Sequence, residues 1–380
     1  MKGPLEGVRV IELAGLGALP YGAMKLADMG ADVIRVERTG DVPANPSPRP
    51  HSFWDRGRRS IAVDLKHPSG VATVLRMVEH ADVLLESFRP GVAERLGVGP
   101  DAALGRNPRI VYGRLTGWGQ EGPLARAAGH SLNYEAITGV IRAIGPRGGP
   151  PVPLLQILGD FAGGGLHLAY GVVCALYEAK RSGRGQVVDA AMVDGVMSLL
   201  GVFYALHASG LHTDEMGENL FDGGAPFYNV YETKDGRWVS VAPIEPHFWS
   251  LLLAKLEIDP AELPDQHDRS RWPEVRERLA SVFRTRTRDE WCALLEGTDA
   301  CFAPVLTFGE AQHHSHNVAR GAFLADAATP ELKPTPRLDR TPGEPGPSPA
   351  WPGADTDGVL TELGFTRDEI RALRAERAIV

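Results

Sequence analysis

Three polar side chains stand in settings where acid–base chemistry is feasible. His130 lies in Ala128-Gly129-His130-Ser131-Leu132-Asn133-Tyr134, at a loop-to-helix junction after a glycine-rich loop. Asp160 lies in Leu158-Gly159-Asp160-Phe161, just before a long apolar stretch that reads as a helix. Glu245 follows a strand-like run in Ala242-Pro243-Ile244-Glu245-Pro246. Histidine and carboxylates are the residue types that take and return protons near neutral pH. Each also has a plain alternative. Asp160 reads equally as a helix N-cap, whose carboxylate accepts backbone N–H bonds and gains roughly 0.3–1 kcal/mol from the helix dipole. Gly159 and Gly163-Gly164-Gly165 favour a ligand there, because flanking glycines leave room that an ordinary cap does not need. Glu245 by itself reads as an exposed loop acid.

Other chemistries find less support. Gly15-Leu16-Gly17 follows a strand, and Glu37 ends the next strand 20 residues beyond Gly17. That is half of a dinucleotide fingerprint. Pro20 stands at the third glycine position, so a tight turn in a doubly wound sheet is the better reading. Between Arg35 and Arg114, thirteen basic residues (Arg49 among them) outnumber nine acids, a local excess of +4 in a chain of net charge −8. Arg38, Lys66 and Arg89 follow predicted strands, and ligands of open α/β sheets bind at those carboxyl ends. Cations there suit a phosphorylated ligand, while any one of them alone reads as solvated surface. His313, His314 and His316 have no acidic or cysteine partner at ligand spacing, so no metal is expected. G-x-S-x-G, P-loop and H-E-x-x-H motifs do not occur.

The elements that must position these residues alternate over the first 115 positions. Strands are predicted at 8–13, 32–36, 60–65, 82–86 and 109–114, with helices at 21–29 and 69–80. Apolar β-branched runs separated by helices indicate an α/β fold, a parallel sheet covered on both faces. The proline-rich run at 41–50 reads as an irregular loop. Long helices are expected at 160–181 and 191–209. Near Asn219 a second region starts, with a hairpin across Lys234-Asp235-Gly236 and helices at 273–283 and 288–295. Eight prolines between Pro330 and Pro352 read as an extended linker rather than a packed element. A helix at 366–377, opened by a Thr366/Glu369 capping box, suggests that the chain returns to dock on the first domain. The expected division is a large domain over 1–210, completed by 340–380, and a small α/β domain over 219–329, with 330–352 as linker.

Composition bounds the rest. The chain has 380 residues, 43% apolar and 23% charged, which is globular and long enough for two to three domains. Three cysteines without a CxxC pair exclude a disulfide scaffold and fit a reducing, cytoplasmic setting. A net charge of −8 argues against nucleic acid as a partner. The first fifteen residues lack the apolar core of a signal peptide. Phe161 to Tyr177 is uncharged for 17 residues, the lower edge of a membrane span; a buried helix in a large core, with no membrane, is expected.

At these residues the chain resembles the α-methylacyl-CoA racemases, within the broader family III CoA-transferases. The matching segments run in order from GVRVIELAGLGALP, GADVIRVER, VDLKHPSG and ADVLLESFRPGVAERLG through RLTGWGQEGPLARAAGH, GDFAGGG and GRGQVVDAAMVDG to NLFDGGAPFYNVYETKDG, VAPIEPHFW and TDACFAPVLTF. Histidine at Gly129-His130, where the transferases resemble one another in having tyrosine, points to the racemase branch. So does Asp222-Gly223-Gly224-Ala225-Pro226. One departure stands out: the racemase pattern reads G-H-D-x-N-Y, and Ser131 occupies the aspartate position.

The resemblance implies a large doubly wound Rossmann-like domain, a smaller α/β domain and two chains interlocked as a homodimer. It implies an isomerase that moves the proton beside a thioester carbonyl, with His130 on one face, Asp160 on the other and Glu245 fixing the tautomer of His130. Backbone N–H groups near Asp160 would hold the thioester oxygen. Arg38, Val63, Asp64, Leu65, Lys66, Arg89, Gly129, His130, Ser131, Leu132, Asn133 and Tyr134 would line the acyl-CoA site. No cofactor is implied, coenzyme A being part of the substrate. With Ser131 in place of a carboxylate, Glu245 alone would support the imidazolium, and Ser131→Asp would raise the rate or leave it unchanged. Two alternatives stay open: CoA transfer between carboxylic acids with Asp160 as nucleophile, and a non-catalytic acyl-CoA-binding relative.

Overall fold

A computed structural model describes residues 3–44, 53–324, 329–349 and 351–380. The end of the predicted proline-rich loop, residues 45–50 with Arg49, lies outside the described residues. The chain divides into two compact units, Met1–Thr138 with Leu154–Leu199 and Ala327–Val380, and Gly139–Pro153 with Leu200–Asp326.

The first unit is built on a six-stranded sheet in the order β3-β2-β1-β4-β5-β6. Its strands are β1 (Arg9–Leu13), β2 (Asp32–Glu37), β3 (Arg58–Ala62), β4 (Val83–Glu86), β5 (Val111–Thr116) and β6 (Val187–Ala191), every neighbouring pair parallel. The apolar runs are continuous because both faces are covered. Alternate residues feed two cores: Ile11, Ile34 and Leu84 pack on one side, Val10, Val33 and Val83 on the other. Helices α1 (Ala18–Asp28), α2 (Pro68–Val78), α3 (Val92–Leu96), α4 (Pro100–Arg106) and α5 (Ser131–Ala136) intervene in chain order. A π-helix, Ile157–Leu166, runs on into α6 (His167–Ser182), and α7 (Met192–Leu199) follows β6. The sheet order reverses between β1 and β4, which opens a crevice at the carboxyl ends of these strands.

β6 was not among the predicted strands. It is an edge strand with an exposed start, so its apolar alternation is weak, and the turn before it is packed rather than free: a Cβ on Gly185 would stand 1.9 Å from Ile110 O. The helix predicted at 191–209 is two, α7 and α8 (Gly201–Ala208), broken at Leu200 where the units divide. The predicted domain boundary at 210 therefore moves to 199, and 139–153 leaves the first unit. The proline-rich stretch is irregular, as its composition requires, but it is not a free linker. Gly57 N–H donates to Pro347 O (2.8 Å), Glu344 N–H to Asp28 O (3.0 Å) and Arg56 to Leu332 O (2.7 Å). Thr356–Glu362 and Arg367–Ala375 complete the first unit, the latter opened by the Thr366/Glu369 capping box.

The helix Ile157–Ser182 is long and apolar enough to cross a membrane by length and composition, and only 39% of its most apolar window is buried. Leu168, Val172, Ala175 and Ala179 face the core, whereas Leu166, Tyr170, Val173 and Tyr177 are exposed. The expected fully buried helix is thus a two-faced one.

In the second unit, β7 (Asn229–Glu232), β8 (Trp238–Val241) and β9 (Phe302–Val305) form an antiparallel sheet. Asp235 holds the predicted hairpin turn, accepting from Thr233 Oγ1 (2.6 Å) and from Arg288 N–H (3.0 Å). α9 (Pro246–Lys255), α10 (Trp272–Phe283) and α11 (Arg288–Leu295) cover it with Leu252, Trp272, Leu279, Phe283 and Trp291.

Two buried ion pairs brace this unit, one between α1 and the segment before β3, the other between β1 and β3. Arg56 is bidentate on Asp28, at 3.0 and 2.6 Å. Arg58 Nε donates to Glu12 Oε2 (2.5 Å), with both side chains wholly buried, and its other nitrogens reach Trp54 O and Pro20 O. Removing one member strands the other charge. Glu12→Leu is therefore expected to destabilise the fold by about 3–5 kcal/mol in urea unfolding, and adding Arg58→Met should recover much of it. Equal midpoints for Glu12→Leu and wild type would show that the pair carries no such constraint.

Candidate active site

A cavity of about 940 Å³ opens in the first unit at the carboxyl ends of its strands. Ala14 to Ala18 after β1, Arg38 after β2, Ser87 and Arg89 after β4, and Gly117 and Trp118 after β5 line it. His130, Asn133 and Tyr134 from α5 and Gln156 and Asp160 from the π-helix complete the wall. The sheet thus brings His130 and Asp160, 30 residues apart in sequence, into one cavity.

His130 is set by its neighbours. Its N–H donates to Asn133 Oδ1 (3.0 Å), and Tyr134 OH donates to Gly129 O. The Tyr134 ring meets Trp118 edge-on, with centroids 4.7 Å apart. These contacts give Asn133, Tyr134 and Gly129 structural duties at the cavity edge, with the exposed His130 between them.

Asp160 is not an N-cap. Gln156 caps the π-helix, and Asp160 is its fourth residue, half-buried. The i→i+5 winding recurs at functional sites because it re-aims side chains within a helix. Burial holds the Asp160 carboxyl above the usual aspartate range; charge on His130 opposes this, and the Glu135 carboxylate adds to it.

The glycines after Asp160 do not make room for a ligand. A Cβ on Gly163 would lie 2.8 Å from Val196 N, and one on Gly165 would lie 2.4 Å from Ala18 O. Gly195 and Gly22 answer from α7 and α1, where a Cβ would meet Gly163 O at 1.9 Å and Gly165 O at 2.6 Å. Backbone therefore crosses backbone on two sides of the π-helix. Of the glycines near Asp160, Gly17 is the one that faces its carboxylate, with a Cβ position 3.4 Å from Oδ2.

The backbone donors expected beside Asp160 are already used. Gly159 N–H donates to Glu135 Oε1 (2.8 Å) and Asp160 N–H to Ser131 Oγ (3.2 Å). Ser131 in turn donates to Glu135 Oε1 (2.7 Å). Ser131 is buried and bonded beneath Asp160, so it neither lines the cavity nor stands as an empty place beside the imidazole. An aspartate at 131 would not help, contrary to expectation, because it would meet the buried Glu135 carboxylate. Leu132 is exposed and also outside the cavity lining.

Most of the described cations in the basic stretch are paired, and two stand at the cavity; Lys66, Arg95 and Arg109 do neither. Arg35, Arg56, Arg58, Arg59, Arg76, Arg106 and Arg114 pair with carboxylates. Arg38 and Arg89 are exposed at the cavity and make no ion pair among the described residues. Val63, Asp64, Leu65 and Lys66 do not line the cavity. Val63 bridges to Ile379, Asp64 N–H donates to Ala378 O (2.9 Å), and Asp64 Oδ1 accepts from Lys66 N–H (2.9 Å), while the Lys66 side chain is exposed. Glu245 belongs to the second unit, where it is the exposed N-cap of α9. His314 is paired with Glu296 at 2.9 Å.

The profile of the CoA-transferase family III matches residues 5–357. The chain belongs to this family. It is 46% identical to a mouse (Mus musculus) alpha-methylacyl-CoA racemase over 99% of this chain and 97% of that one. A human (Homo sapiens) protein of the same name is 44% identical over 99% of this chain and 97% of that one. The solved structure of a CaiB/BaiF family protein from Brucella suis superposes with a TM-score of 0.81 at 24% identity, covering 96% of this chain and 100% of that one, which shows the shared fold.

Two features of this family III site escape a reading along the sequence. Glu135 looks like an ordinary helix acid until its burial is seen; its one signal is the i,i+4 spacing from Ser131. Trp118 and Gly17 join the site because the loops after β1 and β5, two strands apart in the sheet, line the same cavity.

Because backbone occupies the space beyond Gly165, Gly165→Ala should push α1 from the π-helix. We expect a loss of about 1–3 kcal/mol in unfolding free energy, the usual range for overpacking, together with reduced turnover. A variant with wild-type midpoint and rate would show that α1 yields freely at this crossing.

Proposed function

We propose that this family III enzyme is a 2-methylacyl-CoA racemase, acting by removal and return of the proton beside the thioester carbonyl. The observation that carries the reading is one cavity, at the reversal point of the sheet, into which both His130 and Asp160 open. The 44–46% identity to the two racemases supports it. A proton next to a thioester is far less acidic than any side chain. A base on one face, an acid on the other and a place for negative charge on oxygen are all required.

His130 takes one face and Asp160 the other. The high-lying carboxyl of Asp160 brings its basicity nearer to the task than an exposed aspartate's. Since Gly159 and Asp160 N–H are occupied, the enolate oxygen falls to the amino end of α1, whose N-cap Gly17 has no side-chain cap and lies beside Asp160. Arg38 and Arg89 take phosphate groups of coenzyme A, which is substrate; no cofactor enters this scheme. A supporting role for Glu245 rests on resemblance alone. The exposed face of α6 is covered by a second copy of the chain, and we propose the interlocked dimer. The three free cysteines support a cytoplasmic setting.

The family description favours a second reading, CoA transfer with Asp160 as nucleophile. Incubation with one epimer of 2-methylacyl-CoA in D2O separates the two. Deuterium incorporation with inversion and no acceptor acid supports the racemase; turnover only with a second carboxylic acid supports transfer; binding alone removes both.

His130→Ala and Asp160→Ala should each lower racemisation by about 10²-fold or more while acyl-CoA affinity stays within a few-fold. Retention of a tenth of the rate would remove that residue from the mechanism. Arg38→Ala should instead weaken binding of the thioester and of coenzyme A alike. With Asp160 as base, kcat/KM falls on acidification as its carboxylate is protonated. Because that carboxyl is raised, the acid limb should lie above the ordinary aspartate range.

Light scattering should return the mass of two chains, and Tyr170→Glu with Val173→Asp on the exposed α6 face should shift it toward one. A wild-type monomer would end the dimer proposal.

A further inference from the structure

Glu135 is a buried titratable group that the mechanism above leaves unused. Its side chain has no solvent exposure and makes no ion pair among the described residues. Oε1 accepts from Ser131 Oγ (2.7 Å) and from Gly159 N–H (2.8 Å), while Oε2 has no hydrogen-bond partner. A helix needing only an apolar anchor would be better served by leucine, since a buried carboxylate with an idle oxygen is unfavourable. What Glu135 gains is direction. Ser131 has one hydroxyl hydrogen and gives it to Glu135, so its lone pairs are left to receive Asp160 N–H at 3.2 Å. Two successive N–H groups of the π-helix, those of Gly159 and Asp160, are thereby fixed by one acid.

We propose that Glu135 is a positioning residue for Asp160. The carboxylate that the racemase pattern carries at position 131 stands here one helical turn later, and the Ser131 hydroxyl connects it to the backbone of Asp160. The spacing is i,i+4 on α5, so both side chains leave the same face of that helix. The inference rests on the racemase reading and names what holds the backbone of the second acid–base residue in this chain. It also fixes the neighbourhood of Asp160: Glu135 behind it, His130 and Tyr134 beside it.

The test is a swap of carboxylates in the full-length chain, with Glu135→Leu, Glu135→Gln, Ser131→Asp and the double variant Ser131→Asp/Glu135→Leu. Racemisation of one 2-methylacyl-CoA epimer is followed in D2O, and amide hydrogen exchange is followed over the peptide containing Gly159 and Asp160. Glu135→Leu should lower kcat by about tenfold or more with KM changed less than about threefold, and it should speed amide exchange of that peptide. Ser131→Asp alone should be as harmful, because it opposes two carboxylates. The double variant should return kcat to within about threefold of wild type, far above the product of the single effects. Glu135→Gln keeps the acceptor oxygen and should hold the peptide's exchange near wild type. A double variant no better than that product, a folded Glu135→Leu with wild-type kcat and unchanged exchange, or a Glu135→Gln whose peptide exchanges much faster than wild type, overturns the inference. If Glu135→Leu does not fold, the double variant and Glu135→Gln decide it. If the wild type moves no α-proton, the racemase reading falls with the catalytic part of this inference, and amide exchange alone decides whether Glu135 holds Asp160.

Discussion

The site depends on how closely three stretches of backbone approach. The π-helix lies against α1 through Gly165 and Gly22, and against α7 through Gly163 and Gly195, at distances no Cβ tolerates. α1 starts directly after β1 and α7 directly after β6, so the sheet anchors both partners. The crossing fixes where the first turn of the π-helix stands relative to the carboxyl ends of the strands. Asp160 on that turn then faces Gly17 at the start of α1, with no side chain between them. A side chain at any of the four crossing glycines would separate the elements that the chemistry needs together.

Charge is managed in the same frame. An arginine-rich sheet could not stay folded around unpaired guanidinium groups, and Glu12, Asp28 and Glu86 each receive one in the interior. These pairs join strands to neighbouring elements rather than face a ligand. At the crevice Arg38 and Arg89 are exposed and make no ion pair among the described residues.

Around Asp160 the polarity runs inward. The carboxyl looks into the cavity, its N–H and that of Gly159 look away, and Ser131 and Glu135 receive them. The same burial that accepts those bonds withdraws water from Asp160 and raises its carboxyl, so the placing of the residue and the rise of its carboxyl have one physical origin. On the opposite side His130 depends on ordinary helix-start geometry, Asn133 and Tyr134 holding its backbone.

The parallel sheet, the hairpin at Asp235 and the capping box at Thr366 were legible in the sequence, because each is written in neighbouring residues: an apolar run, a turn dipeptide, a threonine three residues before an acid. His130, Asp160 and Arg38 were legible as residues of one family's pattern. What local sequence could not carry was the direction of an interaction. Gly163-Gly164-Gly165 looks the same whether a ligand or another helix fills the space beside it. Ser131 read as a missing carboxylate because the acid that bonds it lies four positions on and is distinguished only by burial. Periodicity and capping are set within a turn or two of chain. Which surface a residue meets is set by packing between elements far apart in sequence, and only the folded chain decides it.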